Sequence, residues 1–299
     1  MQKIKVLECG PRDGWQNLKK VLPTEEKLKY IDGLFSCGIR SMEITSFVSP
    51  RAIPQMVDAG EVARYCVEKY PDKELVALIP NFKGAELAQA AGLKNLTYVI
   101  SVSESHNKAN INRTHDQSFE ELRRIRESFP ELQLCIGMAT TFGCPFEGIP
   151  DLDKVLRFVE RIRSCDVDTV YLADTIGIAD PAQVRRTVKS IIERFPDTKM
   201  QVHIHDTRGM GLVNTLAAIE AGVDTVQSTL GGLGGCPFAP GASGNLSTED
   251  MVWMLNEMGF KTGVSFSKVL EAAKFQAIHI PGNYSGHHIH IEQESPCKF

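Results

Sequence analysis

Eight short apolar runs recur along this chain, and each is followed by a stretch with helical spacing. The runs are K-V-L-E near 5 to 8, S-M-E-I-T at 41 to 45, L-V-A-L-I at 75 to 79, L-T-Y-V-I-S at 96 to 101, L-Q-L-C-I-G at 132 to 137, D-T-V-Y-L-A-D at 168 to 174, M-Q-V-H-I-H at 200 to 205 and D-T-V-Q-S-T at 224 to 229. Between them, Val155, Phe158, Val159 and Ile162 fall at i, i+3, i+4 and i+7, the stripe of a helix that covers a sheet. Leu28, Ile31 and Phe35 line another such face, and Thr24 stands where it could cap that helix. Alternation sustained over eight strands predicts a (β/α)8 TIM barrel with a C-terminal helical extension; a doubly wound open sheet is the weaker alternative. No linker of biased composition divides the chain. Residues 1–299 therefore read as one barrel domain, with about 248–299 as extension and tail.

Composition excludes more than it identifies. With 42% hydrophobic residues, 23% charged residues and a net charge of -4, there is no electrostatic reason to expect nucleic acid or anionic membrane as a partner. The N-terminal run is broken by Gly10 and Pro11 and lacks a secretory or transit pattern, and no apolar run approaches the roughly 18 residues needed to span a bilayer. Eight scattered cysteines in a chain large enough to build its own core suggest free thiols, a reducing compartment and a cytoplasmic protein. Cys9 and Cys135 read as small core residues, and Cys144 as a turn residue.

The C-terminal ends of barrel strands are where chemistry is expected, and here they are polar in ways that core packing does not require. Strand 1 leads into R-D-G-W-Q-N, with Arg12, Asp13 and Gln16; strand 2 carries Glu43; strand 7 ends in His203 and His205; the glycine-rich segment after strand 8 ends at Asn245. Two residues apart on a strand, His203 and His205 point the same way. An H-x-H pair alone can be no more than a hydrogen-bonded strand end. Strands 7, 8 and 1 are neighbours in a closed barrel, however, so Asp13, the two histidines and Asn245 can meet around one point. This nitrogen and oxygen set suits a divalent cation, Mg²⁺ or Mn²⁺ foremost, then Co²⁺ or Zn²⁺, with positions left for a substrate.

Taken together, R-D-G-W-Q-N, M-E-I-T-S-F-V-S-P, G-C-P-F-E-G, L-A-D-T-I-G, H-I-H-D-T and G-L-G-G-C-P-F-A-P-G-A-S-G-N resemble the 3-hydroxy-3-methylglutaryl-CoA lyase family, related to the isopropylmalate and homocitrate synthases. The likeness runs from residue 3 to about 272. It implies Asp13, His203, His205 and Asn245 as metal ligands. It also implies catalytic roles for Arg12 at an enolate oxygen, for Glu43 in positioning that arginine, for Asp13 and His203, and for Cys236 in proton transfer on a loop whose glycines let it close. Gln16, Asn110 and Asp174 are the implied substrate contacts, and Arg208, which the family pattern does not supply, is a further candidate contact.

The implied reaction splits a tertiary 3-hydroxyacyl-CoA into acetyl-CoA and a 3-oxo acid. A cation at the hydroxyl lowers its pKa, and a fixed guanidinium stabilises the enolate. The alternatives are a synthase condensing acetyl-CoA with a 2-oxo acid, or a non-catalytic acyl-CoA-binding barrel. Neither nucleic acid nor membrane is expected as partner, and a homo-oligomer is compatible. The chain departs from the family pattern at the acyl pocket. Gly137, Met138 and Ala139 replace Tyr-Val-Ser, Tyr171 replaces a serine, and Arg208 and Met210 replace tyrosine and glutamine. Loss of a ring at 137 and gain of a cation at 208 suggest an altered acyl group, one carrying a further carboxylate. His287, His288 and His290 read as a solvated tail.

Overall fold

A computed structural model describes residues 2–235 and 244–291. Eight strands, β1 (Lys5–Glu8), β2 (Ser41–Ser46), β3 (Glu74–Ile79), β4 (Asn95–Ser101), β5 (Gln133–Ala139), β6 (Thr169–Asp174), β7 (Lys199–Ile204) and β8 (Thr225–Ser228), pair in parallel and in chain order. Val6 of β1 registers with Val226 of β8, which closes the barrel. The open-sheet alternative is thereby excluded. Most strand residues are buried, as expected where helices cover the outside and side chains fill the inside.

Helices α1 (Thr24–Ser36), α2 (Ala59–Lys69), α3 (Phe82–Ala90), α4 (Glu104–Ile111), α5 (His115–Ser128), α6 (Leu152–Arg163), α7 (Pro181–Arg194), α8 (Gly211–Glu220) and α9 (Thr248–Glu257) lie between and after the strands, and α10 (Phe266–His279) follows. Their starts follow local chemistry. Asp180 caps α7 by accepting from the Gln183 amide, with Pro181 in the first turn, and Thr114 and Gln117 form a reciprocal capping box on α5. Thr24 does not cap α1; its hydroxyl donates to Asp58 instead. Among the described residues no helix is long and apolar enough to cross a membrane.

Of the tail expected to be solvated, His287 and His290 are exposed, but His288 is largely covered and the segment is anchored to the barrel. Asp250 accepts the backbone amides of His287 (2.7 Å) and His288 (3.0 Å) and also faces both imidazole Nδ1 atoms. The His288 ring packs on Trp253 and Phe266. Ser285 donates to the carbonyl of Asn245 at 2.6 Å, so the segment braces the backbone of a predicted metal ligand.

Two buried carboxyl groups hold the same region from below. Glu8 accepts from the amides of Gly10 and Leu230 and from the Thr248 hydroxyl, drawing the loops after β1 and β8 together; burial pushes its pKa up to about 7. Glu249 accepts from the Gly231 amide, and burial pushes it up to about 8 from an ordinary 4.5. The folded state thus binds the Glu249 proton more tightly than the unfolded chain does. Its contribution to stability is complete below about 4.5 and is lost as the pH rises through about 8. Glu249→Gln, which mimics the protonated acid, is expected to raise the melting temperature relative to the native protein by an amount that grows from about pH 5 to about pH 8. Thermal melts across that range check it; a difference that does not change with pH contradicts it.

Candidate active site

The chain leaves β1 through a single π-turn, Gly10–Gly14, in which the Trp15 amide donates to the Gly10 carbonyl at 3.0 Å. Such wide turns are rare and concentrate at functional sites. This one carries Arg12 and Asp13 into the mouth of the barrel, both buried. Opposite them His203 ends β7 and His205 follows it, and the His205 backbone bridges that of Asn245. Gly234 makes the close approach possible: at φ 139°, any β-carbon there would meet Asn245 Nδ2 at 2.5 Å.

The predicted ligands converge. One ligand atom from each of Asp13, His203 and His205 lies within 4.8 Å of the others, and Asn245 Nδ2 donates to Asp13 Oδ2 at 2.6 Å. His203 Nε2 stands 3.2 Å from His205 Nε2 and 3.8 Å from Asp13 Oδ2. Burial lowers the pKa of both imidazoles, that of His203 to about 4, so both are neutral at pH 7, the form that binds metal. Burial alone would raise Asp13, but Arg12 and then the histidines bring it down to about 2. Asn245 Oδ1 is buried with no hydrogen-bond partner. An anionic oxygen, two neutral imidazoles and an unsatisfied amide oxygen facing one point fit a divalent cation.

Beside this cluster, Arg12 donates from Nε to Glu43 and from Nη1 to Asp13. Burial opposes its charge, but the two carboxylates hold the guanidinium protonated. No described residue hydrogen-bonds to Nη2. Glu43, buried in β2, thus orients Arg12, and Gln16 donates to Asp13 Oδ1 at 2.7 Å.

The other predicted contacts make no hydrogen bond to the cluster among the described residues. Asn110 is exposed on α4 and makes no hydrogen bond to the cluster. Asp174, its pKa raised by burial to about 6, accepts the amides of Ile178 and Ala179, and Arg208 donates to the carbonyls of Ile176 and Gly177. Both therefore shape the loop after β6. Arg208 holds these carbonyls through Nη1 alone, and the side chain is exposed. Cys236 lies outside the described residues; Asn17 reaches its neighbour, donating to the Gly235 carbonyl at 3.1 Å. Cys144 is a turn residue as expected, its sulfur accepting from the amides of Phe146 and Glu147.

Two inward-facing residues escaped the sequence reading, Gln227 and Gln201. Gln227 Oε1 accepts from His203 Nδ1 at 3.1 Å and Gln227 Nε2 donates to Gln201 Oε1 at 2.9 Å, an arrangement that leaves His203 Nε2 free as a ligand. Tyr171 packs beside His203, ring centroids 5.9 Å apart. Strand alternation could have found Gln201, since it precedes His203 and His205 at the same spacing.

A cleft of about 1410 Å³ adjoins the cluster at Gly14, Leu233 and Gly234. Tyr30, Phe275 and Ile280 line it, together with Lys19, Lys20 and Lys268.

The sequence matches the HMGL-like family over residues 3–275. It is 40% identical over 276 residues to mitochondrial hydroxymethylglutaryl-CoA lyase of Bos taurus, covering 92% of this chain and 85% of that one. Hydroxymethylglutaryl-CoA lyase YngG of Bacillus subtilis (strain 168) is 39% identical, with 92% of each chain covered. A solved HMG-CoA lyase from Acinetobacter baumannii, in complex with coenzyme A and 3-methylmalate, superposes with a TM-score of 0.92 at 38% identity, covering 98% of this chain and 96% of that one.

Proposed function

The chain belongs to the HMGL-like family, and from that membership and its site we propose a divalent-metal-dependent carbon-carbon lyase that cleaves a 3-hydroxy-3-methylglutaryl-CoA-like thioester to acetyl-CoA and a 3-oxo acid. The observation that carries this reading is a charged Arg12 with one free edge, fixed by Glu43 beside the cluster of Asp13, His203 and His205. Asp13, His203, His205 and Asn245 would hold Mg²⁺ or Mn²⁺, hard ions suited to mixed oxygen and imidazole donors. What a bound cation supplies is Lewis acidity at the substrate hydroxyl.

The rest of the chemistry falls to the chain. The C3 hydroxyl gives its proton to the Asp13 carboxylate, the bond between C2 and C3 breaks as the C3 carbonyl forms, and the electron pair collects as an enolate on the thioester oxygen. Nη2 of Arg12 donates to that oxygen without reorganising, because Glu43 and Asp13 already fix the guanidinium. Cys236 is the proposed acid that protonates C2 of the departing acetyl-CoA. The CoA portion occupies the adjoining cleft, its phosphates meeting Lys19, Lys20 and Lys268 and its apolar arm the wall of Tyr30 and Phe275. A cytoplasmic location is supported by the free thiols of Cys9, Cys37, Cys66, Cys135, Cys144 and Cys165.

The test is acetyl-CoA release from a series of tertiary 3-hydroxyacyl-CoAs that differ at C3. We expect Mg²⁺- or Mn²⁺-dependent release from the methylglutaryl thioester or a near analogue. A protein that cleaves none of the series is not this lyase.

A further inference from the structure

Gly137 on β5 and Tyr171 on β6 are register partners, and the tyrosine leans sideways over the glycine. A β-carbon placed at 137 would stand 2.3 Å from both Cζ and the hydroxyl oxygen of Tyr171. Real β-carbons do not come so close, so the glycine is required by the ring above it and not by its own backbone. This reverses the expectation drawn from the sequence. Gly137 does not empty the pocket; a tyrosine from the neighbouring strand fills the space over it.

The position of that ring matters because of what it borders. Tyr171 packs 5.9 Å from the His203 ring, centroid to centroid, and keeps only 5% of its surface exposed. Among the described residues its hydroxyl has no hydrogen-bond partner. The hydroxyl is not among the sealed polar atoms left without a partner, so a bound group can reach it. Below neutral and well above it, a phenol remains a donor. A donor without an acceptor, next to a ligand histidine, is a place prepared for a bound group.

We propose that Tyr171 is the specificity-determining wall of the acyl pocket: its ring limits the substituent that C3 of the thioester can carry, and its hydroxyl donates to the acyl group. The assignment rests on the lyase reading of the site. The ring cannot retreat, with the Gly137 backbone beneath it and His203 at its side. Gly137, in turn, has no side chain with which to refill the space if the ring is removed. Tyr171→Ser therefore opens a slot the size of a ring, whereas Tyr171→Phe keeps the slot closed and removes only the donor.

The experiment measures kcat/KM for thioesters whose C3 substituent grows from methyl to isopropyl, with Mn²⁺ affinity measured alongside. For Tyr171→Ser we expect the isopropyl-to-methyl ratio to rise by at least about tenfold, on the scale of one to two methylenes in a fitted pocket, with Mn²⁺ affinity unchanged. For Tyr171→Phe the ratio should stay within about threefold of the native protein while kcat/KM falls roughly fivefold to tenfold on every substrate. An unchanged ratio in Tyr171→Ser, or size discrimination lost in Tyr171→Phe, overturns the proposal. A structural cycle tests the contact independently of turnover. Gly137→Ala should lower the melting temperature in the native background and be nearly silent beside Tyr171→Ser; equal effects in both overturn the coupling. If the native protein cleaves none of the series, the lyase reading itself falls and takes this assignment with it. If it cleaves them with a ratio indifferent to residue 171, only the assignment falls.

Discussion

Arg12→Lys is expected to lower kcat by about 10²- to 10³-fold while moving KM by no more than about threefold. The guanidinium divides its donors: Nε goes to Glu43, Nη1 goes to Asp13, and Nη2, bonded to no described residue, is the proposed donor to the substrate. A lysine ammonium is a single nitrogen at the end of a flexible stem. It can join one carboxylate, yet it cannot bridge both and still present a fixed donor to a third oxygen. The loss should fall on turnover because charge on the thioester oxygen is largest in the transition state. Mn²⁺ affinity, measured by calorimetry, should change little, since Asp13 keeps a positive neighbour. A rate within threefold of the native enzyme would mean that Arg12 is only a partner for Glu43 and Asp13.

Much of this architecture was legible because of how parallel barrels use apolar residues. Their strands are covered on both faces, so they stand out as runs such as L-V-A-L-I, which falls within Glu74–Ile79. The convergence of the proposed ligands was legible for a related reason. Polar residues at strand ends have no packing role, and barrel closure dictates which ends are neighbours. Closure places β8 beside β1, and with it Asn245 beside Asp13, 232 residues away in sequence.

What escaped depends on lateral contacts that no single strand reveals. Tyr171 and Gly137 explain each other only once the register of β5 on β6 is known. Read alone, the glycine looked like lost bulk. Gln227 sits in D-T-V-Q-S-T as one polar residue among β-formers, and its role appears only when β8 is laid against His203 of β7. The histidines at 287 and 288 lacked any period because one buried carboxylate, Asp250, holds their segment in place of a repeating apolar face. That Arg208 also holds the loop after β6 was not legible, since the carbonyls it donates to, those of Ile176 and Gly177, belong to a different loop.

Exhaustive chelation is expected to abolish cleavage, and Mg²⁺ or Mn²⁺ to restore it. His205→Ala should weaken Mn²⁺ binding by more than about 100-fold, since loss of an outer-shell partner alone costs about 10- to 100-fold. The fold should survive that change. Strands β7 and β8 remain paired through backbone hydrogen bonds, and the imidazole of His205 spans no hydrophobic cluster that its loss would open. Gln227→Ala is the informative companion. It removes the acceptor at His203 Nδ1 while leaving all four proposed ligands in place, so its effect on Mn²⁺ affinity should lie between that of the native protein and that of His205→Ala. Calorimetry and circular dichroism on the three proteins check the order. Full activity after exhaustive chelation would remove the metal from the mechanism. A His205→Ala protein with native Mn²⁺ affinity would keep a metal but move it away from this cluster, leaving Arg12 and Glu43 as an ion pair beside a strand end.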